Sequence, residues 1–336
     1  MDFTPDPQQQ AVADVVNAVL DRDNNWESLV SGGVTALGVP ERLGGDGVGL
    51  PELATALTEI GRHGTISPAL ATLGLGVIPL LDLAGPDQQD RFLDGVAKGA
   101  ILTAALNEPG VALPERPSVR LVDGVLNGVK VAVGYAARAD WMLVSTDSGV
   151  VVVSPNADGV RLIKTPASTG AEEFAVEFTD VDVDPDAVLG ADVHRLNQLA
   201  LAAVGAFAAG LVAGAVRLTA DYVTNRHQFG RPLATFQTVA AQLAEVYIAS
   251  RTLGLAATSA VWRLTEGRDA DEDLDVLAYW LTSQAPPAMQ ICHHLHGGMG
   301  MDITYDMHRY YSSIKDLTRL LGGPAYRLDL VGAQCT

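Results

Sequence analysis

The chain has 336 residues, 48% of them hydrophobic, and sets 40 acidic side chains against 22 basic ones for a formal charge of −18. That length and apolar content allow a large buried core in two or three units, while the negative field argues against nucleic acid or an anionic membrane as partner. Two cysteines, Cys292 and Cys335, give neither a disulfide framework nor metal-ligand spacing, so no metal site is expected and a reducing cytoplasm is the expected compartment.

The first ten residues are polar and acidic and lack an apolar h-region, so a secretory signal is not expected. Residues 1–100 read as a helical domain, with helical spacing at 8–20 and 51–62. Between them Pro40-Glu41-Arg42-Leu43-Gly44-Gly45-Asp46-Gly47 is a glycine-rich loop without the Gly-Lys-Ser/Thr ending of a phosphate cradle. Around residue 101 the apolar period shifts from helix to strand. Residues 119–122 and 125–131 flank Asp123-Gly124, Asn127-Gly128 interrupts the second run, 150–153 follows Asp147-Ser148-Gly149, and Phe174, Val176 and Phe178 alternate with polar neighbours. This pattern predicts a small antiparallel β domain over 101–190, closing at Asp184-Pro185-Asp186 and Gly190. From 191 to 336 the period is helical again. Helices near 194–225, 235–265, 272–296 and 303–320 have the lengths and short joints of a four-helix bundle, so the chain is read as α+β.

Within that bundle, 199–216 is an uncharged run containing Gly210-x-x-x-Gly214. Its length approaches a bilayer span. It is mostly Ala and Gly and runs straight into polar helical turns, which predicts a close-packed core helix and no membrane span.

The stretch 225–251 joins a basic, Gly/Pro-containing turn to an amphipathic helix. Arg226, His227, Gln228, Phe229, Gly230, Arg231 and Pro232 form the turn, and Phe236, Val239, Leu243, Val246 and Ser250 form one helical face. Two readings stay open on the residues alone: an anion site, or a helix–turn–helix corner with solvated arginines. The histidines His63, His194, His227, His293, His296 and His308 show no metal spacing, and Tyr305, Tyr310 and Tyr311 read as bundle packing.

The order of domains and motifs resembles the acyl-CoA dehydrogenase family along nearly the whole chain. The resemblance is carried by Pro40-Glu41-Arg42-Leu43-Gly44-Gly45, by Asn107-Glu108-Pro109-Gly110 entering the sheet, and by Phe178-Thr179-Asp180-Val181-Asp182-Val183 leaving it. In the bundle it is carried by residues 226–237 and by His296-Gly297-Gly298-Met299-Gly300. It implies an acyl-CoA dehydrogenase-like fold: an N-terminal helical domain, a middle antiparallel β domain and a C-terminal four-helix bundle. It also implies α,β-dehydrogenation of an acyl-CoA thioester by FAD with a glutamate as base, and electron-transfer flavoprotein as acceptor.

In the family the flavin spans two subunits, so the resemblance places Arg226 at the FAD pyrophosphate of a neighbouring subunit. Gln228 and Phe229 would line the same turn, Gly230 would allow close approach, and Gln237 would bond farther along the cofactor. Gly297 and Gly298 would clear space beside the adenosine end. His294, where family members commonly carry glutamine, has two readings: an adenosine contact or a buried structural histidine.

The sequence departs from the family in the catalytic machinery. Counting along the motifs puts Leu321 at the usual base position and Ala200 at the alternative one, and neither side chain can take a proton. The flavin-ring side lacks the family's Trp-x-Thr strand, which is here Lys130-Val131-Ala132-Val133-Gly134, and its hydroxyl-bearing turn, which is here Val111-Ala112-Leu113-Pro114. A chain that keeps groups given to a neighbour and has lost those used for itself is expected to be the non-catalytic half of a hetero-oligomer. The resemblance narrows to the short subunits of actinobacterial α2β2 acyl-CoA dehydrogenases of steroid side-chain, and so cholesterol, breakdown. The partner would be a longer subunit carrying the glutamate. Two alternatives are a self-sufficient homo-oligomeric flavoenzyme, with Asp316 or Glu108 as nearest base candidates, and a non-enzymatic scaffold.

Overall fold

The computed structural model describes residues 3–190 and 192–334; Cys335 and the residue at the expected 190/191 boundary lie outside them. By its internal contacts the chain forms two compact units. One comprises Pro5–Leu57 and Ser67–Val204, and the other is built on Thr58–Ile66 and the chain from Gly205 onward.

The first unit opens with α1 (Pro7–Leu20), which Asp6 and Gln9 start with a reciprocal capping box. Next come α2 (Trp26–Ser31), the larger part of α3 (Leu50–Arg62), a π-helical run Leu70–Val77 that leads into α4 (Ile78–Leu83), and α5 (Pro86–Leu93). Seven strands follow: β1 (Leu102–Ala105), β2 (Arg120–Val122), β3 (Val125–Gly134), β4 (Trp141–Thr146), β5 (Gly149–Val153), β6 (Val160–Thr165) and β7 (Glu173–Asp182). They make two sheets, a four-stranded one ordered β2-β3-β7-β6 and a three-stranded one ordered β1-β4-β5.

The larger sheet is antiparallel throughout. In the smaller one β1 runs parallel to β4, which corrects the wholly antiparallel domain expected from the sequence. The physical reason lies in the connection: the chain between β1 and β4 contains β2 and β3, a crossover long enough to bring the second strand back in the same direction. β1 is buried at all four positions, so it shows no alternation by which it could have been recognised.

The second unit holds most of α6 (Val193–Asn225), a two-residue hairpin of β8 (His227–Gln228) and β9 (Arg231–Pro232), then α7 (Gln237–Thr265), α8 (Asp271–His296), α9 (Met307–Leu320) and α10 (Gly323–Gln334). The last helix was not expected. Gly322 and Gly323 both take positive φ and end α9, and Pro324 then sits in the first turn of α10, where a missing N–H costs nothing.

α6 is the one helix among the described residues long and apolar enough to cross a membrane, and 83% of its apolar window is buried inside the protein. Its glycines explain the run. A Cβ on Gly210 would overlap the carbonyl of Thr58, and one on Gly214 that of Arg62. The last turns of α3 therefore cross α6 at backbone contact, fixed by Thr58 Oγ1 donating to Ala206 O at 3.1 Å and Tyr310 Oη to Arg62 O at 2.9 Å. The Gly-x-x-x-Gly spacing here serves a close helix crossing inside a core.

Candidate functional site

Arg226 leaves α6 with its N–H still bonded to Tyr222 O, and the chain then reverses over Phe229 and Gly230. Both turn residues take positive φ, 53° and 80°, the pattern of the tight two-residue hairpin turn whose twist matches the strands it joins. Glycine meets that demand without strain at the second position. Phe229 meets it at a cost, and the residue is 91% exposed. The return strand is tied back by Leu233 N donating to Arg226 O at 2.8 Å.

Arg226, His227, Gln228 and Arg231 are all exposed, as is Gln237 at the first residue of α7. The Arg231 guanidinium lies 4.1 Å from the centre of the Phe236 ring, which Phe229 meets edge-on with centroids 6.2 Å apart. Arg226 is thus an exposed guanidinium on a hairpin that also exposes the Gln228 amide, a donor set suited to an oxygen-rich dianion such as a diphosphate.

The second motif follows α8. Gly297 has φ 57°, and neither Gly297 nor Gly298 has an atom within 4 Å of where a Cβ would stand, so both face open space. Around them Met299, Met301 and Ile303 are exposed. His294 is exposed as well, which overturns its reading as a buried structural histidine.

The fold joins the two motifs through aromatic contacts that the sequence did not show. Tyr222, whose carbonyl receives Arg226 N–H, stacks on His296 with ring centroids 4.5 Å apart, and Tyr305 packs on both at 6.5 and 5.3 Å. His296 donates from Nδ1 to Cys292 O at 2.8 Å, and burial lowers its pKa and so favours the neutral ring. Tyr222 was missed altogether; its spacing of four from Arg226, one helical turn, was the available signal.

The two positions expected from the resemblance to hold the base are closed. Leu321 and Ala200 are each 1% exposed. Leu321 sits at the end of α9 with its carbonyl accepting from Arg327 Nε at 2.8 Å. The proposed substitutes are engaged elsewhere. Asp316 is near the Arg319 guanidinium at 3.6 Å.

Glu108, 5% exposed, accepts from Ser118 N, Ser118 Oγ at 2.6 Å, Val119 N at 3.1 Å and Lys130 Nζ at 2.9 Å. Burial acts to raise its pKa, but the hydrogen bonds from Ser118 and Lys130 outweigh it and hold the carboxyl below its ordinary value. Such a group is a poor proton acceptor. Lys130 in turn donates to Leu106 O at 3.2 Å and Ser145 Oγ at 2.9 Å, and its own pKa is pushed down by burial to about 8 against the pull of Glu108. The strand expected to face a flavin ring therefore turns Lys130 into the core, and Ala132, at φ 57°, lies in a bulge between Lys130 and Val133.

A sequence model of the acyl-CoA dehydrogenase N-terminal domain matches residues 7–100, and one of the acyl-CoA dehydrogenase C-terminal domain matches 194–334. The chain is 69% identical over 337 residues to the acyl-CoA dehydrogenase FadE28 of Mycobacterium tuberculosis, covering 100% of this chain and 99% of that one. Its fold superposes with a TM-score of 0.90 on a chain of the ChsE4–ChsE5 complex of M. tuberculosis at 28% identity, covering 100% of this chain and 99% of that one. A chain of the steroid acyl-CoA dehydrogenase Tcur3481–Tcur3483, as its G363A variant, gives a TM-score of 0.85 at 28% identity, covering 97% and 96%. Matched along both helical regions and over its full length, this chain belongs to the acyl-CoA dehydrogenase family.

Proposed function

We propose that this chain is one subunit of a heteromeric, FAD-dependent acyl-CoA dehydrogenase, in which it completes a flavin site on a longer partner that carries the base. One contrast carries the reading. The hairpin donors Arg226 and Gln228 are exposed, whereas buried aliphatic side chains, Leu321 and Ala200, stand at both positions expected from the resemblance to hold the base. FAD, when bound, supplies the hydride acceptor for dehydrogenation of the acyl-CoA. The role of this chain is to hold the other end of the cofactor. Arg226 pairs with the diphosphate, Gln228 and Gln237 add amide donors, and Phe229 covers the turn. His294, Gly297 and Gly298 border the adenosine end.

The substrate is an acyl-CoA, with a steroid side chain as the acyl group. Support for that finer assignment is the likeness to a chain of a steroid acyl-CoA dehydrogenase; support for a heteromer is the likeness to a chain of a two-component complex. A self-sufficient homo-oligomer is disfavoured because Glu108, its nearest base candidate, is saturated by Ser118, Val119 and Lys130.

The test is production of the chain alone and together with a longer acyl-CoA dehydrogenase subunit from its native host. The expected outcome is a colourless, inactive single chain and a yellow, active complex with fewer flavins than chains. A single chain that binds FAD and oxidises an acyl-CoA would end the proposal.

A further inference from the structure

Two local rules are broken side by side at the hairpin. Phe236 occupies the N-cap of α7 and makes no side-chain cap bond, although Ser, Thr, Asp or Asn is strongly preferred there. Phe229, non-glycine and aromatic, holds φ 53° with the residue almost wholly in solvent. Neither choice helps the helix or the turn in isolation, and adjacent local conflicts of this kind mark positions retained for another purpose.

The geometry shows what they share. The Phe236 ring is covered by the Arg231 guanidinium at 4.1 Å and met edge-on by Phe229 at 6.2 Å and 77°, both favourable arrangements for an aromatic quadrupole. Gln228 and Arg231 are opposed across the hairpin, so their side chains leave from the same face. The stack therefore links the return strand, the turn and the N-cap of α7 to one another. Thr235 Oγ1, donating to Pro232 O at 2.7 Å, closes the same corner.

We propose that Phe236, through its stack with Arg231 and Phe229, is a positioning residue that presets the hairpin so that Arg226 meets a diphosphate already oriented. Arg231 then acts on the ring and not on the anion. The inference rests on the reading of Arg226 as a ligand of the cofactor diphosphate. It assigns the affinity of that contact to preorganisation, which saves the cost of ordering the turn on binding.

The experiment measures FAD retention by the complex purified from the native host through a tagged copy of this chain, as the dissociation constant from recovery of free flavin fluorescence. Wild type is compared with Phe236→Leu, Phe236→Tyr, Arg226→Ala and the Arg226→Ala/Phe236→Leu double variant, each with its thermal midpoint. Loss of one aromatic stack and one cation–π contact corresponds to weakening of about 10-fold for Phe236→Leu. Phe236→Tyr, which keeps the stack, should retain the wild-type value, and Phe236→Leu should add little once Arg226 is gone. Equal weakening by Phe236→Leu in both backgrounds, or no recovery with Tyr, overturns the positioning role. If Arg226→Ala leaves flavin in place, the reading of Arg226 falls and the positioning role with it. If Arg226→Ala strips flavin and Phe236→Leu does not, only the positioning role falls. Should Phe236→Leu fail to assemble, Arg231→Gln against Arg231→Lys carries the same cycle from the solvent side of the ring.

Discussion

The hairpin at Arg226 and the buried pair at Glu108 and Lys130 are both charged places in an acidic protein, and they are built in opposite ways. At Glu108 every charge is answered from within: one carboxylate gathers Ser118, Val119 and Lys130, and Lys130 shares itself among Glu108, Leu106 and Ser145. At Arg226 the donors are open to solvent, an aromatic residue stands 91% exposed at the turn, and backbone strain sits on Phe229. A charge whose partners are all internal serves the fold. Polar donors set among exposed apolar groups on a strained, preset turn serve something outside the chain. The difference is the one expected between a structural carboxylate and an arginine that, as proposed, binds a group outside the chain, although both lie in motifs of the same family.

The largest effect should come from breaking the internal pair. Glu108→Gln leaves the Lys130 ammonium buried without its counter-charge and is predicted to cost about 3–5 kcal/mol of folding stability, read from urea denaturation. A cost under about 1 kcal/mol would mean that Glu108 is a solvated group after all.

Leu321→Glu comes next. Placing a carboxylate in a position 1% exposed should destabilise by about 3 kcal/mol, without giving a singly produced chain any dehydrogenase activity. An active single chain would show that the base position opens onto substrate.

Arg226→Ala should leave the denaturation midpoint unchanged while weakening FAD retention in the complex about 10- to 100-fold, the loss of one charge-assisted pair. A fall in stability with no change in flavin would move Arg226 into the structural class.

The smallest effect is the slope with pH, at most about 1.4 kcal/mol per pH unit from a single group. Lys130 releases its proton near pH 8 in the folded chain, against an ordinary value of 10.5. Between those values the unfolded chain binds the extra proton, so stability should rise with pH across the window. Glu108, held below 4.5, gives the complementary loss of stability as pH falls below its ordinary range. Lys130→Met should flatten the alkaline rise; if the slope persists, another group is responsible.

Much of the second unit was legible in the sequence because its helices are long and strongly periodic. The expected 194–225 and 272–296 became Val193–Asn225 and Asp271–His296. α10 was not legible, since Gly322-Gly323-Pro324 reads as a stop when it is also a permitted start. In the first unit β3 and β7 showed alternation, whereas β1 and most of β4 are buried on both faces and do not alternate, and β6 is an edge strand whose brief alternation is lost at Ile163 and Lys164, both exposed.

At the site, the motif residues could be named from the sequence, but their company could not. Tyr222 against His296 and Lys130 against Ser145 are contacts between distant parts of the chain. His294 could have been either buried or exposed from its helical position alone. The aromatic stack on Phe236 is local, yet it depends on the turn bending through positive φ at Phe229, a conformation that a phenylalanine gives no reason to expect.

The most direct test of the account is the flavin content of this chain made alone, set beside that of the complex recovered through it from the native host. The single chain is expected to hold no FAD and to oxidise no acyl-CoA, and the complex to carry fewer flavins than chains together with activity. A single chain holding one FAD per polypeptide and oxidising an acyl-CoA would contradict it.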